Sequence, residues 1–130
     1  MAHKGSFITT GQFLDTADYL TSMNGLFFAI MQDDGNFCVY RGSGPDNNRG
    51  YLWGTQQLGD GRQFFAIMQN DGNFAVYKGT GPGDNRGYVW SLGKATAGSD
   101  FFAAMQNDGN FCVYKGTGPA DNRGFVWGRW

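Results

Sequence analysis

One period constrains this chain more than any other feature. Trp53, Trp90 and Trp127 stand 37 residues apart, as do Gln32, Gln69 and Gln106, and the only prolines, Pro45, Pro82 and Pro119, keep the same step. From Phe64 to Trp90 and from Phe101 to Trp127 only four of 27 positions differ: Ile67/Ala104, Ala75/Cys112, Gly83/Ala120 and Tyr88/Phe125. Such a repeat is one supersecondary unit copied, and a unit that cannot bury its apolar face alone must bury it against its copies. The expected organisation is one domain over residues 1–130, with an N-terminal segment 1–24 and repeats 25–61, 62–98 and 99–130.

Each copy carries the same local signals. "FFAIMQ" is a short apolar run, "NDG" a turn signal and "NFAVY" an alternating segment, which together read as a β-hairpin. "KGTGPGDNRG" reads as a loop and "YVW" as a further strand. With 22 glycines and no Glu among its 11 acidic residues, the chain is thin in strong helix formers, which favours an all-β fold. Along "NFAVY" a period of two puts Asn73, Ala75 and Tyr77 on one face, and Phe74 with Val76 on the core face. Asn73 and Tyr77 then sit about 13 Å apart at the usual strand rise. Three sheets of this kind bury their apolar faces most simply around a shared axis, which the three repeated Trp would fill.

Composition removes several function classes. A formal charge of −1 with no basic run lacks the electrostatic footprint of a nucleic-acid binder. No apolar run approaches the roughly 20 residues of a membrane-spanning helix, so no membrane insertion is expected. The opening "MAHKGSF" lacks the apolar stretch of a secretory signal. The expectation is a cytoplasmic protein, or one secreted by a route this chain does not encode. The only His, His3, lies near a terminus expected to be loose, so no Ser-His or Cys-His pair can be built on a rigid scaffold. A glycosidase needs two carboxylates at a set distance, and each hairpin motif offers one, plus Asp33 in the first copy only. No enzyme is expected. "DDGN" and "NDGN" suggest calcium, but a calcium-binding EF-hand loop closes on a Glu and this chain has none; no metal or cofactor is expected. Cys38 and Cys112 occupy equivalent places on different sheets and are expected to remain reduced.

The polar residues repeated at the hairpin are the candidate site. Asp-Gly and Asn are ordinary turn residues, but turn formation does not explain a Gln and a Tyr in every copy. Asp accepts hydrogen bonds, Asn and Gln both donate and accept, and a Tyr hydroxyl does either, which suits the adjacent hydroxyls of a pyranose. The small residue between them, Cys38, Ala75 or Cys112, is expected to form an apolar floor for ring C–H groups. About four modest hydrogen bonds correspond to roughly 4 kcal/mol and a Kd of about 1 mM per site. Three such sites on one body gain through multivalency.

The pattern Q-x-D-x-N-x-x-x-Y, found as Gln32/Asp34/Asn36/Tyr40, Gln69/Asp71/Asn73/Tyr77 and Gln106/Asp108/Asn110/Tyr114, resembles the signature of the monocot (bulb-type) mannose-binding lectins. "TTGQFLDTADYL" also resembles that family's opening strand segment. The resemblance implies a β-prism II fold, three four-stranded antiparallel sheets about a pseudo-threefold axis lined by Trp. It implies one shallow mannose site per sheet, with Asp and Asn on O2, Gln on O3 and Tyr on O4. The implied partners are mannose-type glycans. Three departures stand out: the motif's Val is Cys38, Ala75 or Cys112; Gly35, Gly72 and Gly109 leave no counterpart to the plant disulfide; and "GTGPGDNRG" is longer than in plant members. Restoring Val at Ala75 is expected to tighten the middle site. Two other readings stay open: a β-trefoil, which would want a Gln-x-Trp signature that is missing here, and a protein-interaction or toxin module using Arg49, Arg86 and Arg123.

Plant relatives dimerise by exchanging a C-terminal strand, but only "GRW" follows Trp127, so that exchange is not expected. The segment Phe7 to Leu20 is expected to fold back and fill the single open edge, with Trp130 capping the seam or meeting a second copy. The expected state is a monomer or a simple homodimer.

Overall fold

The computed structural model describes residues 2–56 and 61–130, and those residues form strands only, joined by turns. Within the repeats lie β4 (Phe27–Met31), β5 (Phe37–Gly44) and β6 (Asn47–Gly54); β7 (Phe64–Met68), β8 (Phe74–Gly81) and β9 (Asp84–Ser91); and β10 (Phe101–Met105), β11 (Phe111–Gly118) and β12 (Asp121–Gly128). The N-terminal segment holds β1 (Phe7–Thr9), β2 (Phe13–Leu14) and β3 (Tyr19–Thr21). Three four-stranded antiparallel sheets result, in the orders β3-β4-β5-β6, β2-β7-β8-β9 and β1-β10-β11-β12.

The N-terminal segment therefore does more than fill one edge. It winds past all three sheets and gives each its fourth strand, through Tyr19↔Ile30, Phe13↔Ile67 and Phe7↔Ala104. Every repeat supplies only three strands, so all three, not the last alone, leave an edge to be covered. Ile8, Leu14 and Leu20, one per strand, are driven into the core. His3 is pinned as well: it bridges to Tyr19, and its ring stacks on Tyr19 at 5.2 Å. The terminus is thus held rather than loose.

Period-two patterning sends Phe37, Val39 and their copies inward. Trp53, Trp90 and Trp127 form a near-equilateral cluster, with ring centroids 6.2, 6.0 and 6.2 Å apart. Phe37, Phe74 and Phe111 form a tighter one at 5.1, 5.0 and 5.1 Å, fully buried. Two triads of equal sides mark the pseudo-threefold axis. Each is an aromatic cluster in the edge-on or tilted geometry that such rings prefer.

The segment expected to be a loop after each motif is instead a paired hairpin. In the second copy β8 and β9 stay hydrogen-bonded out to Gly81↔Asp84, with Pro82 and Gly83 at the tip. The glycines are the device that permits this. A Cβ on Gly79 (φ +123°) would lie 1.8 Å from the Asp84 carbonyl oxygen, and one on Gly81 would lie 2.9 Å from the Phe13 ring. Glycine density here records close strand packing at bulges.

Candidate functional site

Each motif occupies the outer face of its sheet at the tight turn between the first and second strands of the repeat. The turn closes as a three-residue loop with glycine in the left-handed region: Gln32 N–H donates to Asn36 O at 3.2 Å, and Gly35 has φ +89°. The Asp side chain builds that turn. Asp34, Asp71 and Asp108 each accept the backbone N–H of the Asn two residues on, at 2.9, 3.0 and 2.9 Å through Oδ1. The same turns seal the sheet boundaries: a Cβ on Gly72 would meet Phe101 at 3.0 Å, and one on Gly109 would meet Phe27 at 3.0 Å.

Gln and Tyr are brought together in every copy. The Tyr40 hydroxyl donates to Gln32 Oε1, and Tyr114 donates to Gln106 Oε1 at 2.5 Å; in the middle copy Gln69 Nε2 donates to the Tyr77 hydroxyl at 2.6 Å. The Gln amide also leans on the Asp carboxylate, at 3.3 Å in the first motif and 3.4 Å in the third. Burial pushes the Tyr40 and Tyr114 hydroxyls up to about 12, helped by the nearby thiol and Asp, so both stay protonated donors.

The Asn side chains differ. Asn36 Oδ1 accepts from Thr55 Oγ1 at 3.1 Å and from Gln56 N–H at 2.9 Å, with Gln56 held at φ +65°. Asn110 Oδ1 accepts from Arg129 N–H at 3.1 Å. Asn73 Oδ1 is buried without a partner. The first and third carboxamides are oriented by the fold with Nδ2 left to donate; the middle one is not. Beside the third turn, Arg129 Nε donates to Gly109 O at 3.0 Å, and its guanidinium covers the Trp130 ring at 4.4 Å. Trp130 is 64 % exposed, so it caps no seam.

The expected apolar floor is not a surface. Cys38, Ala75 and Cys112 are 1, 0 and 1 % exposed. The reason is cross-strand packing: Cys38 faces Gly54, Ala75 faces Ser91 and Cys112 faces Gly128. A Cβ on Gly54 would lie 3.0 Å from Cys38 Sγ, 2.9 Å from the Tyr51 hydroxyl and 2.8 Å from Asn36 Oδ1, so the space is already full. Only where Ser replaces Gly does Ala replace Cys. Burial also pushes the Cys38 thiol up to about 11 and raises that of Cys112, so neither is a reactive thiolate.

What sequence reasoning missed is an aromatic ladder. On each outer face one ring from every strand packs against the next, the middle pair stacked and the outer pairs edge-on. Tyr19–Phe28–Tyr40–Tyr51 have centroids 6.2, 5.2 and 5.8 Å apart, Phe13–Phe65–Tyr77–Tyr88 5.9, 5.6 and 6.2 Å, and Phe7–Phe102–Tyr114–Phe125 6.0, 5.3 and 5.9 Å. The motif Tyr is the third rung, and the last rung is open to solvent: Tyr51, Tyr88 and Phe125 are 48, 63 and 62 % exposed. Strict alternation places Tyr51 on the same face as Trp53. A bulge prevents it, because Val39 pairs with Trp53 while Tyr40 pairs with Tyr51, leaving Leu52 extra. An aromatic two residues before the Trp in all three repeats is the signal that pointed there.

Of the basic loop residues, Arg86 pairs with Asp84 at 2.8 Å and Arg123 with Asp121 at 2.7 Å, while Arg49 donates to Asn47 at 3.3 Å. All three are tied within their own hairpins. Asp84 and Asp121 are accordingly held below the usual carboxylate range, first by those Arg hydrogen bonds. A hollow of about 530 Å³ lies under the N-terminal segment, lined by Lys4, Ile8, Gln12, Asp15 and Asp18, and includes no motif residue. Among the described residues no group of three His, Cys or Asp side chains is placed to hold a metal.

No protein-family model matches the sequence, and no curated protein does. Solved structures do. A monomeric monocot mannose-binding lectin from Gastrodia elata superposes with a TM-score of 0.73 at 23 % identity, over 95 % of this chain and 93 % of that one. The mannose-specific agglutinin of snowdrop (Galanthus nivalis) bulbs, complexed with methyl-α-D-mannoside, gives 0.69 at 27 %, over 88 % and 96 %. The Japanese Marasmius oreades lectin gives 0.71 at 25 %, over 98 % and 93 %. The chain has the β-prism II fold of the monocot mannose-binding lectins, and its structural neighbours are lectins.

Proposed function

We propose that this chain is a non-enzymatic lectin binding mannose or mannose-containing glycans at three sites, one per sheet. The sites are Gln32, Asp34, Asn36 and Tyr40; Gln69, Asp71, Asn73 and Tyr77; and Gln106, Asp108, Asn110 and Tyr114. One observation carries the reading: a Gln–Tyr pair tied beside an Asp-built turn recurs on all three faces of a fold shared with a mannoside-bound agglutinin. The chemistry supports it. Asp Oδ1 is committed to the turn, which leaves Oδ2 to accept from a sugar hydroxyl, while Asn Nδ2 and the Gln–Tyr pair donate and accept beside it. About four such bonds give a Kd of about 1 mM, so clustered mannosides gain most through avidity. Every sheet is completed by the chain's own N-terminal strands, and we read the protein as a monomer.

The test is retention on immobilised mannose with elution by free sugar. The variant combining Asp34→Asn, Asp71→Asn and Asp108→Asn keeps an oxygen for each turn and removes the anionic acceptor; retention is expected to vanish while the far-UV spectrum stays native. Retention at the wild-type level in that variant would overturn the site assignment. A natively folded wild type that mannose does not retain favours the protein-interaction reading.

A further inference from the structure

A pyranose carries C–H groups as well as hydroxyls, and covering them adds what hydrogen bonds exchanged with water do not. The residue between the motif Asn and Tyr cannot do this, because Cys38, Ala75 and Cys112 are sealed in. Among the described residues six large apolar or aromatic side chains are exposed: Met23, Leu26, Tyr51, Tyr88, Phe125 and Trp130. Three of the six are one repeated position, the last rung of the ladder. Exposed apolar residues scattered singly are ordinary, whereas one aromatic held open at the same place on three faces marks a surface that meets something.

The tip of the ring shows where that surface lies. Tyr51 pairs with Tyr40 across the strands, yet its hydroxyl reaches back to the neighbouring row, that of Cys38 and Gly54. There the hydroxyl and Asn36 Oδ1 lie 2.9 and 2.8 Å from one point, the position a Cβ on Gly54 would take. The ring therefore runs alongside the motif strand, with the motif Tyr at one end and the motif Asn at the other. Tyr88 does the same in the second sheet: it pairs with Tyr77, and its hydroxyl meets Ser91 Oγ at 3.1 Å, Ser91 being the partner of Ala75. Phe125 pairs with Tyr114, with ring centroids 5.9 Å apart at 77°. All three meet their motif Tyr edge-on, which leaves much of the ring open. Gln56 Nε2 donates to the Tyr51 hydroxyl at 2.7 Å and fixes that ring before any ligand arrives.

We propose, resting on the lectin reading above, that Tyr51, Tyr88 and Phe125 are further sugar-binding residues, each presenting its ring to the C–H groups of the pyranose held by its motif. The ring rather than the hydroxyl makes the contact: Tyr88/Phe125 is one of only four differences between the second and third copies, and it keeps the ring. Covering on the order of 40 Å² of C–H and ring surface strengthens each site about fivefold.

Side-chain amide resonances of Gln32 and Gln106 in the intact ¹⁵N-labelled protein read the first and third sites separately while methyl α-mannoside is titrated. Tyr51→Leu keeps an apolar side chain against Tyr40 and removes the ring; it is expected to weaken the response of Gln32 about fivefold and to leave that of Gln106 unchanged. Phe125→Leu is expected to do the reverse. Tyr51→Phe, which copies the third sheet, is expected to bind within about twofold of the wild type. A second readout separates contact from packing: the C–H protons of the bound mannoside are expected to move upfield in the ring current, and to lose most of that shift when Tyr51, Tyr88 and Phe125 are all replaced by Leu. Unchanged affinity at Gln32 in Tyr51→Leu, or an upfield shift that is absent from the wild type or survives the triple replacement, overturns this inference alone. No response to the sugar at any motif overturns the lectin reading and this inference together.

Discussion

Cys38, Ala75 and Cys112 show how a single side chain is chosen by the residue across from it. Ala75→Cys puts a sulfur against Ser91, and Ser91→Gly leaves a gap beside Ala75. Each single change is expected to cost about 1 kcal/mol, and the double variant, which copies the other two sheets, to recover most of it. Denaturant midpoints for the four proteins of that cycle check it. The same packing reverses the expectation for Ala75→Val: it collides with Ser91, and no tightening of the middle site follows. Protonation enters through the same layer. Cys38 and Tyr40 carry folded-state values raised above their ordinary ones, so their stabilising contribution is complete below about pH 9 and is lost as pH rises toward the raised values of about 11 and 12. The urea midpoint is expected to hold steady between about pH 7 and 8 and to fall progressively above about pH 9. An invariant midpoint up to about pH 11 would contradict the burial of these groups. The motif residues themselves were legible in the sequence, because their types and spacing recur. The burial of the small residues was not, because it depends on partners 16 positions away whose pairing only the register reveals.

At the scale of the element, the long hairpins carry the motif strand outward and depend on glycine at their bulges. Gly116→Ala is expected to cost about 3 kcal/mol, since its Cβ would sit 1.9 Å from the Asp121 carbonyl oxygen at φ +125°. Gly83→Ala at a hairpin tip is expected to cost under about 0.5 kcal/mol, because a Cβ there meets nothing within 4 Å and the third repeat already has Ala120. Thermal melts of both variants test the contrast. These strands escaped sequence reading for a physical reason. Glycine, proline and asparagine are turn residues by propensity, and here tertiary contact with Tyr19, Phe13 and Phe7 outweighs that propensity. The hairpins at the motifs were readable because alternation and an Asp-Gly turn agree there. Alternation then failed at Leu52 and its copies, where one extra residue turns Tyr51, Tyr88 and Phe125 to the solvent face.

The whole molecule is held closed by its first 21 residues. Removing 1–21 exposes an edge on all three sheets and extracts Ile8, Leu14 and Leu20 from the core. That truncation is expected to abolish cooperative melting altogether, read by near-ultraviolet circular dichroism, rather than to disable one site. The threefold arrangement was legible from the period of 37, and the central Trp cluster followed from it. How the edges are covered was not, since strands of two or three residues carry too little pattern to locate. The winding of this segment also fixes an order in time. Tyr19 meets Ile30 nearby in the chain, Phe13 waits for Ile67, and Phe7 waits for Ala104. Loop closure becomes less favourable with chain length, so the segment zips from its inner end outward and the β1–β10 seam closes last. In a refolding pulse followed by hydrogen exchange, the amide of Leu20 should gain protection before that of Ile8. Until that final seam shuts, a nascent or refolding molecule presents an open β10 edge to its neighbours, which makes the third sheet the place where aggregation competes with folding.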